Sequence, residues 1–317
     1  MTIKSFSEEL KKYKDFALFC HVRPDGDTVG SAVALKLALE NLGYVANIFC
    51  DDYIPEKFSF IKGSSLIKNE IDREYGCYVA VDCSEIHRLG KFAALFNVNT
   101  KNTFNIDHHV SNTRYAGVNY VNDTSANAEN VYALICELNV EITKDVATAL
   151  LTGLSTDTGN FGHKNTTENT FLVASVLVKA GADINDINYR MFKSQSRERA
   201  KLFGMVMSKI RYFEDYKIGV VSVLKKDLEL SGAKPDMTEG FIDFLMGVDT
   251  VKIAVCLLEV GEKAYKISFR SKGTDVNAVA GVFGGGGHVL ASGCMINGYY
   301  EDVIDRLVYA CKQHLVD

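Results

Sequence analysis

Apolar residues in the first half of the chain follow two alternating patterns. Short unbroken runs occur at 16–22 (FALFCHV), 44–52 (YVANIFCDD), 77–84 (CYVAVDCS) and 102–109 (NTFNIDHH). Runs of this length, rich in β-branched and aromatic residues, predict buried strands. Longer segments at 30–43, 126–139 and 144–159 predict helices, the first of them ended by Gly43. The opening MTIKSFSEELKKYKDF predicts an amphipathic helix. Strands alternating with helices predict an α/β domain with a doubly wound parallel sheet.

The pattern changes past the middle. Residues 169–210 read as helical with a break near 181–185. Beyond them KIGVVSVL, VKIAVCLLEV and AYKISFRSK read as strands, interleaved with helices near 236–247, 274–283 and 300–315. This predicts three parts: a parallel-sheet domain over 1–185, a helical linker over 186–208, and a smaller mixed-sheet α/β domain over 209–317.

Composition narrows the class. The 317 residues are 47 % hydrophobic and 24 % charged, as expected for a soluble globular protein of two domains. No run of about 18 apolar residues predicts a membrane span. The N-terminus has no apolar signal core, so a cytoplasmic location is expected. Eight scattered cysteines without a C-x-x-C pair predict reduced, buried thiols. The net charge of −5 excludes a broadly basic nucleic-acid coat, but it is uneven: −6 over residues 1–185 and +1 over 186–317. An acidic half suits cations, and the other half could meet an anionic substrate.

The polar residues that end the strands carry the chemistry. The first predicted strand ends at His21, with Asp25 and Asp27 close behind; the third ends at Asp82, and the fourth at Asp107, His108 and His109. Asp157 follows a helical run. Asp25 and Asp27 alone are also what a helix starting near Thr28 would call for as caps, and Asp157 alone reads as an ordinary loop residue. Together these groups say more, because the carboxyl ends of the strands of an open parallel sheet share one edge, where ligands bind. Carboxylates with fewer imidazoles and no thiolate form a hard O/N donor set that suits Mn²⁺. Six ligands exceed the need of one ion. Two ions about 3.5–4 Å apart, sharing a carboxylate, would use them all and serve attack on phosphorus. In the second half, the glycines of GGGGH let backbone N–H groups approach an anion. Arg270, at the end of an alternating strand, offers a planar guanidinium for phosphate, and Arg114 is a weaker candidate of the same kind.

HVRPDGDTVGS, VAVDCSE, IDHHVSN and GLSTDTGNF, in this order and spacing, resemble the four motifs of the DHH phosphoesterase superfamily. SFRSK followed by GVFGGGGHVLASGC resembles the DHHA1 domain. The length, without extra domains, is similar to that of the nano-RNase and pAp phosphatase group, whose members degrade oligonucleotides a few residues long and remove the 3′-phosphate of adenosine 3′,5′-bisphosphate (pAp). The resemblance implies one Mn²⁺ on His21, Asp25 and Asp82 and a second on Asp27, Asp82, His108 and Asp157, with Mg²⁺ or Co²⁺ as substitutes. It implies that His109 orients or protonates the phosphate, that Asp107 supports the histidines, and that Arg270, Gly285, Gly286, Gly287, His288 and Arg114 hold substrate. Short RNA or DNA oligonucleotides and pAp are the expected substrates, no membrane is involved, and a homodimer fits the group. A first domain that cuts and a second that holds the terminal nucleotide would favour short substrates. Two departures bear on substrate choice: Asn160 stands where the family often has arginine, and TSANAENVY is a loose match to a Ser/Thr-rich helix start. The alternatives within the superfamily are a phosphodiesterase for pApA or cyclic di-AMP and, with less support from the GGGGH-type domain, an exopolyphosphatase or pyrophosphatase. A non-catalytic nucleotide sensor would lack some ligands, and all six are present.

Overall fold

The first apolar run forms strand β1 (Asp15–Phe19) in the computed structural model, which describes residues 1–98 and 101–315. Beside it lie β2 (Val45–Phe49), β3 (Cys77–Val81), β4 (Thr103–Asp107) and β5 (Val118–Val121). All pair in parallel in the order β2-β1-β3-β4-β5. The order reverses between β1 and β3, so the chain leaves these neighbouring strands toward opposite sides and opens a crevice at their carboxyl ends.

Among the described residues this unit has seven α-helices: α1 (Ile3–Leu10), α2 (Gly26–Asn41), α3 (Ala93–Val98), α4 (Asn127–Glu137), α5 (Lys144–Asp157), α6 (Glu168–Lys179) and α7 (Ile184–Asn188). The buried faces of α2, α4 and α5 pack with Leu18, Val79, Val81 and Ile106 from the sheet. The opposite sheet face buries aromatic rings, including Phe19, Phe49, Phe92 and Phe96. Helices α2 and α5 cross with almost no space between backbones. A Cβ on Gly30 would lie 2.3 Å from the Ala149 carbonyl oxygen, and one on Gly153 would lie 2.7 Å from Asp27 Oδ1. This approach sets the start of α2 beside the end of α5, and with them Asp27 and Asp157.

The second unit is a six-stranded sheet in the order β10-β11-β9-β8-β7-β6. Its strands are β6 (Arg211–Phe213), β7 (Ile218–Val223), β8 (Ile253–Gly261), β9 (Ala264–Ser271), β10 (Gly286–His288) and β11 (Ala291–Asn297). Among the described strands of this sheet, β7 and β8 pair in parallel and the other neighbours pair antiparallel. One face packs on α11 (Val276–Gly281) and α12 (Tyr300–His314). The other meets α8 (Arg197–Met207) and α10 (Phe241–Met246), and α9 (Lys225–Ser231) follows β7.

The α/β architecture with one parallel and one mixed sheet is as the sequence implies. The compact units run Met1–Ser194 and Gln195–Asp317. The segment read as a linker, 186–208, is divided between them: α7 and the π-helical turn Tyr189–Lys193 belong to the first, α8 to the second. The helix expected over 236–247 is interrupted at Gly240, whose φ of 82° ends the turn Pro235–Thr238 before α10 begins. No helix among the described residues is long and apolar enough to cross a membrane.

Candidate metal centre

Each strand delivers its polar residue to the same edge. After β1 the chain runs through His21 to Asp25, the N-cap of α2, whose Oδ1 accepts from the Asp27 and Thr28 N–H groups at 3.1 Å. Asp25 therefore is a helix cap, and its other oxygen, Oδ2, lies 3.5 Å from His21 Nε2. Asp82 follows β3 in the left-handed region, φ 56°, which costs a non-glycine residue about 1 kcal/mol and persists where surroundings impose it. Its Oδ2 lies 3.6 Å from His21 Nε2, and its Oδ1 lies 3.5 Å from His108 Nε2. His108 Nε2 is in turn 3.3 Å from Asp157 Oδ2. Asp82 thus stands between two histidines brought from different strand ends.

Asp27 is fully buried against the start of α4, a helix with no side-chain cap of its own. Its Oδ2 accepts from the Asn127 N–H at 2.5 Å, and its Oδ1 accepts from the Ala128 N–H at 2.9 Å and the Ser31 hydroxyl at 3.0 Å. A carboxylate from α2 caps α4 across about a hundred residues of sequence. Asp27, His108 and Asp157 place one donor atom each within 4.8 Å of one another, as do His21, Asp25 and Asp82, and Asp82, His108 and His109.

These donors fit a cation. His21 Nδ1 lies 2.8 Å from the Val22 carbonyl and His108 Nδ1 3.0 Å from the Thr124 carbonyl. A hydrogen on each Nδ1 leaves the Nε2 lone pair facing the cluster, the arrangement of metal-bound histidine. His21 Nε2, Asp82 Oδ1 and His108 Nε2 are buried with no hydrogen-bond partner. Orphaned polar atoms are costly unless something fills the space between them. Oxygen and nitrogen donors without thiolate suit a hard or borderline divalent ion.

Crowding shows in the titration of these groups. Burial pushes Asp157 up to about 8, helped by the charges of Asp82 and Asp25. Burial also raises Asp27 well above the carboxylate range, with Asp82 and Asp157 adding to it. Burial works to lower His21, but its contacts with Asp25 and Asp82 outweigh that and hold it up at about 10. Without a cation the cluster keeps protons to offset its own charge.

His109 sits one residue beyond, with Nδ1 2.8 Å from Asp107 Oδ1. Asp107 is fully buried; burial opposes its charge, yet hydrogen bonds from His109 and from Asn112 Nδ2, at 2.6 Å, hold it below the usual range. That bond in turn raises His109. Asn112 also bonds Asn105 Oδ1 at 2.8 Å, so one amide fixes the turn after β4. Sequence reading passes over Asn112. It also passes over Arg88, whose Nη2 lies 3.0 Å from His21 Nδ1. The only signal for Arg88 is an arginine a few residues past a strand-ending aspartate.

Arg114 is exposed with φ 53°, and its side chain makes no hydrogen bond or ion pair among the described residues. In the second unit the glycine run differs from the expected cradle of free amides. The Gly284, Gly285 and Gly287 N–H groups donate to Gly281 O, Ala280 O and Asn277 Oδ1. Gly285 and Gly287 are closely packed: a Cβ on Gly285 would lie 2.2 Å from the Gly293 carbonyl oxygen, and one on Gly287 would lie 2.7 Å from the Ala291 carbonyl oxygen. Gly286 and Gly287 pair with Gly293 and Ser292 of β11, and His288, paired with Ala291, ends β10 with its side chain exposed. Arg270 lies across from Ala291 on β9, with Nε 4.0 Å from Asp243 Oδ1.

Comparison with known proteins agrees with this geometry. The DHH family, N-terminal domain model matches residues 15–154, and the DHHA1 domain model matches 219–317. A Thermus thermophilus protein named bifunctional oligoribonuclease and PAP phosphatase NrnA is 32 % identical over 93 % of this chain and 88 % of its own length. The chain belongs to the DHH–DHHA1 phosphoesterase family. As a member it is a hydrolase of phosphoester bonds. Among solved structures, an exopolyphosphatase-related protein from Bacteroides fragilis matches with a TM-score of 0.84 and 26 % identity over 98 % of this chain and 95 % of its own. The exonuclease RecJ bound to manganese shares the fold, with a TM-score of 0.53 and 13 % identity over 98 % and 95 %.

Proposed function

We propose that this DHH–DHHA1 enzyme is a Mn²⁺-dependent phosphoesterase that hydrolyses short oligonucleotides to mononucleotides and pAp to AMP. The observation that carries the reading is Asp82, with one oxygen facing His21 and the other facing His108. In this reading His21, Asp25 and Asp82 hold one cation, and Asp27, Asp82, His108 and Asp157 hold the second. Bound there, the two cations would supply an activated water as nucleophile and charge neutralisation at the phosphoryl group. His109, its Nδ1 fixed by Asp107, presents Nε2 as a donor to a phosphate oxygen. Arg270 and the exposed His288, rather than the glycine amides, meet the substrate in the second unit. The substrates follow from the similarity to the Thermus thermophilus protein and its printed name. A phosphoanhydride substrate is the second reading, supported by the description of the Bacteroides fragilis structure.

The test is a substrate panel. Protein stripped of metal and reloaded with Mn²⁺ is given pAp, a diribonucleotide, pApA, cyclic di-AMP, pyrophosphate and polyphosphate. Turnover of pAp and the diribonucleotide supports the reading. Turnover of pyrophosphate or polyphosphate alone refutes it.

A further inference from the structure

Arg88 lies in the 3₁₀ turn Ile86–Phe92 that follows β3, half-buried. Its main chain is fixed from two sides. The Arg88 carbonyl accepts from the Val22 N–H at 2.7 Å, inside the loop that carries His21 and Asp25. Downstream, the Lys91 N–H donates to Asp51 Oδ2 at 3.0 Å. The guanidinium is thereby held against the metal centre, close enough that its charge acts on both Asp25 and His109.

In a cluster with an excess of carboxylates, Arg88 forms no ion pair with any described residue. Among the described residues its one directional side-chain contact is His21 Nδ1, and that atom is also 2.8 Å from the Val22 carbonyl. A histidine that turns its Nε2 lone pair to a cation carries its hydrogen on Nδ1 and gives it to that carbonyl. His21 then offers Arg88 no acceptor. A half-buried guanidinium has five N–H donors in a fixed fork, and leaving them without acceptors is unfavourable. The ligand that satisfies the fork has two or more oxygens and a negative charge, which is the chemistry of a phosphate.

We propose that Arg88 is a substrate-binding residue that holds a non-bridging oxygen of the phosphoryl group undergoing attack. The proposal rests on the phosphoesterase reading above. Such a contact acts on ground state and transition state alike, so it shows in phosphate affinity and KM rather than in kcat.

The test uses the Mn²⁺-loaded protein and inorganic phosphate as probe. Arg88→Ala and Arg88→Lys are compared with wild type for Mn²⁺ affinity and phosphate affinity by calorimetry, and for KM and kcat with pAp. The expected result is Mn²⁺ affinity within about twofold of wild type, with phosphate affinity weakened roughly 10- to 100-fold in Arg88→Ala and partly restored in Arg88→Lys. KM for pAp rises in parallel. Unchanged phosphate affinity overturns the proposal. So does a loss of phosphate binding that merely follows lost Mn²⁺ binding, which would make Arg88 a positioning residue for His21. If Arg88→Ala fails to fold, Arg88→Lys carries the same comparison. Wild-type protein that binds phosphate without hydrolysing pAp refutes the substrate reading and leaves the Arg88 comparison decisive. Wild-type protein that binds no phosphate refutes the Arg88 proposal itself.

Discussion

Metal binding to this site should release protons, and the number should fall with pH in a way the structure sets. In the proposed ligand set a cation needs the Nε2 lone pair of His21 and the carboxylate of Asp157. With His21 at about 10 and Asp157 at about 8 in metal-free protein, the two together carry about 1.9 protons at pH 7 and about 1.0 at pH 9. Asp27, also raised, adds to the release at pH 7. The assay is Mn²⁺ titration calorimetry at both pH values, each in buffers of different protonation enthalpy; the slope of heat against buffer enthalpy counts protons. A release near two or more at pH 7 that drops by about one at pH 9 is expected. A release below about half a proton at pH 7, or one that does not change with pH, would refute the reasoning. The same groups set the stability of metal-free protein. Asp157, raised from 3.8 to about 8, favours the fold fully below 3.8 and loses that contribution as pH rises to 8. His21, raised from 6.5 to about 10, contributes fully below 6.5 and loses it as pH rises through 10. Metal-free protein should therefore melt at lower temperature at pH 9 than at pH 7, and Mn²⁺ should close the gap.

Three further outcomes follow from single contacts. Asp82→Asn removes a charge that adds to the burial of Asp27 and Asp157 and also one that holds His21 up, so hydrolysis should fall to background while the stability of metal-free protein changes by no more than about 1 kcal/mol; retained turnover would contradict this. Gly30→Ala drives a Cβ against the Ala149 carbonyl and should destabilise by about 2 kcal/mol or more, with a drop in Mn²⁺ affinity because the start of α2 shifts; a neutral melt would show that α2 and α5 can part freely. Arg270→Ala should raise KM for pAp about tenfold while leaving Mn²⁺ affinity unchanged, and an unaltered KM would remove Arg270 from the substrate site.

The site was largely legible because its groups end strands. His21, Asp82 and His108 each follow an apolar run, and a parallel sheet gathers such ends on one edge whatever their separation in sequence. What the pattern hides is the bonding among them. Nothing in the segment from Asn127 to Glu137 announces that its first amides are capped by Asp27 from another helix. Nor does Arg88 stand out, since its significance lies in which acceptors it lacks. In the fold, β5 escapes the hydrophobic reading because Val118–Val121 is a short, half-exposed edge strand. Strand β10 escapes because Gly286–His288 has no apolar side chain to reveal it. The glycine run hides its bonding in the same way: the N–H groups of Gly284, Gly285 and Gly287 look free in sequence and are occupied in the structure, because α11 lies against them.

The central claim is that two cations share Asp82, and anomalous diffraction from a crystal grown with Mn²⁺ tests it most directly. Two peaks about 3.5–4 Å apart are expected, with Asp82 touching both, His21 and Asp25 on one, and Asp27, His108 and Asp157 on the other. A single peak, or a pair without Asp82 between them, would contradict the account.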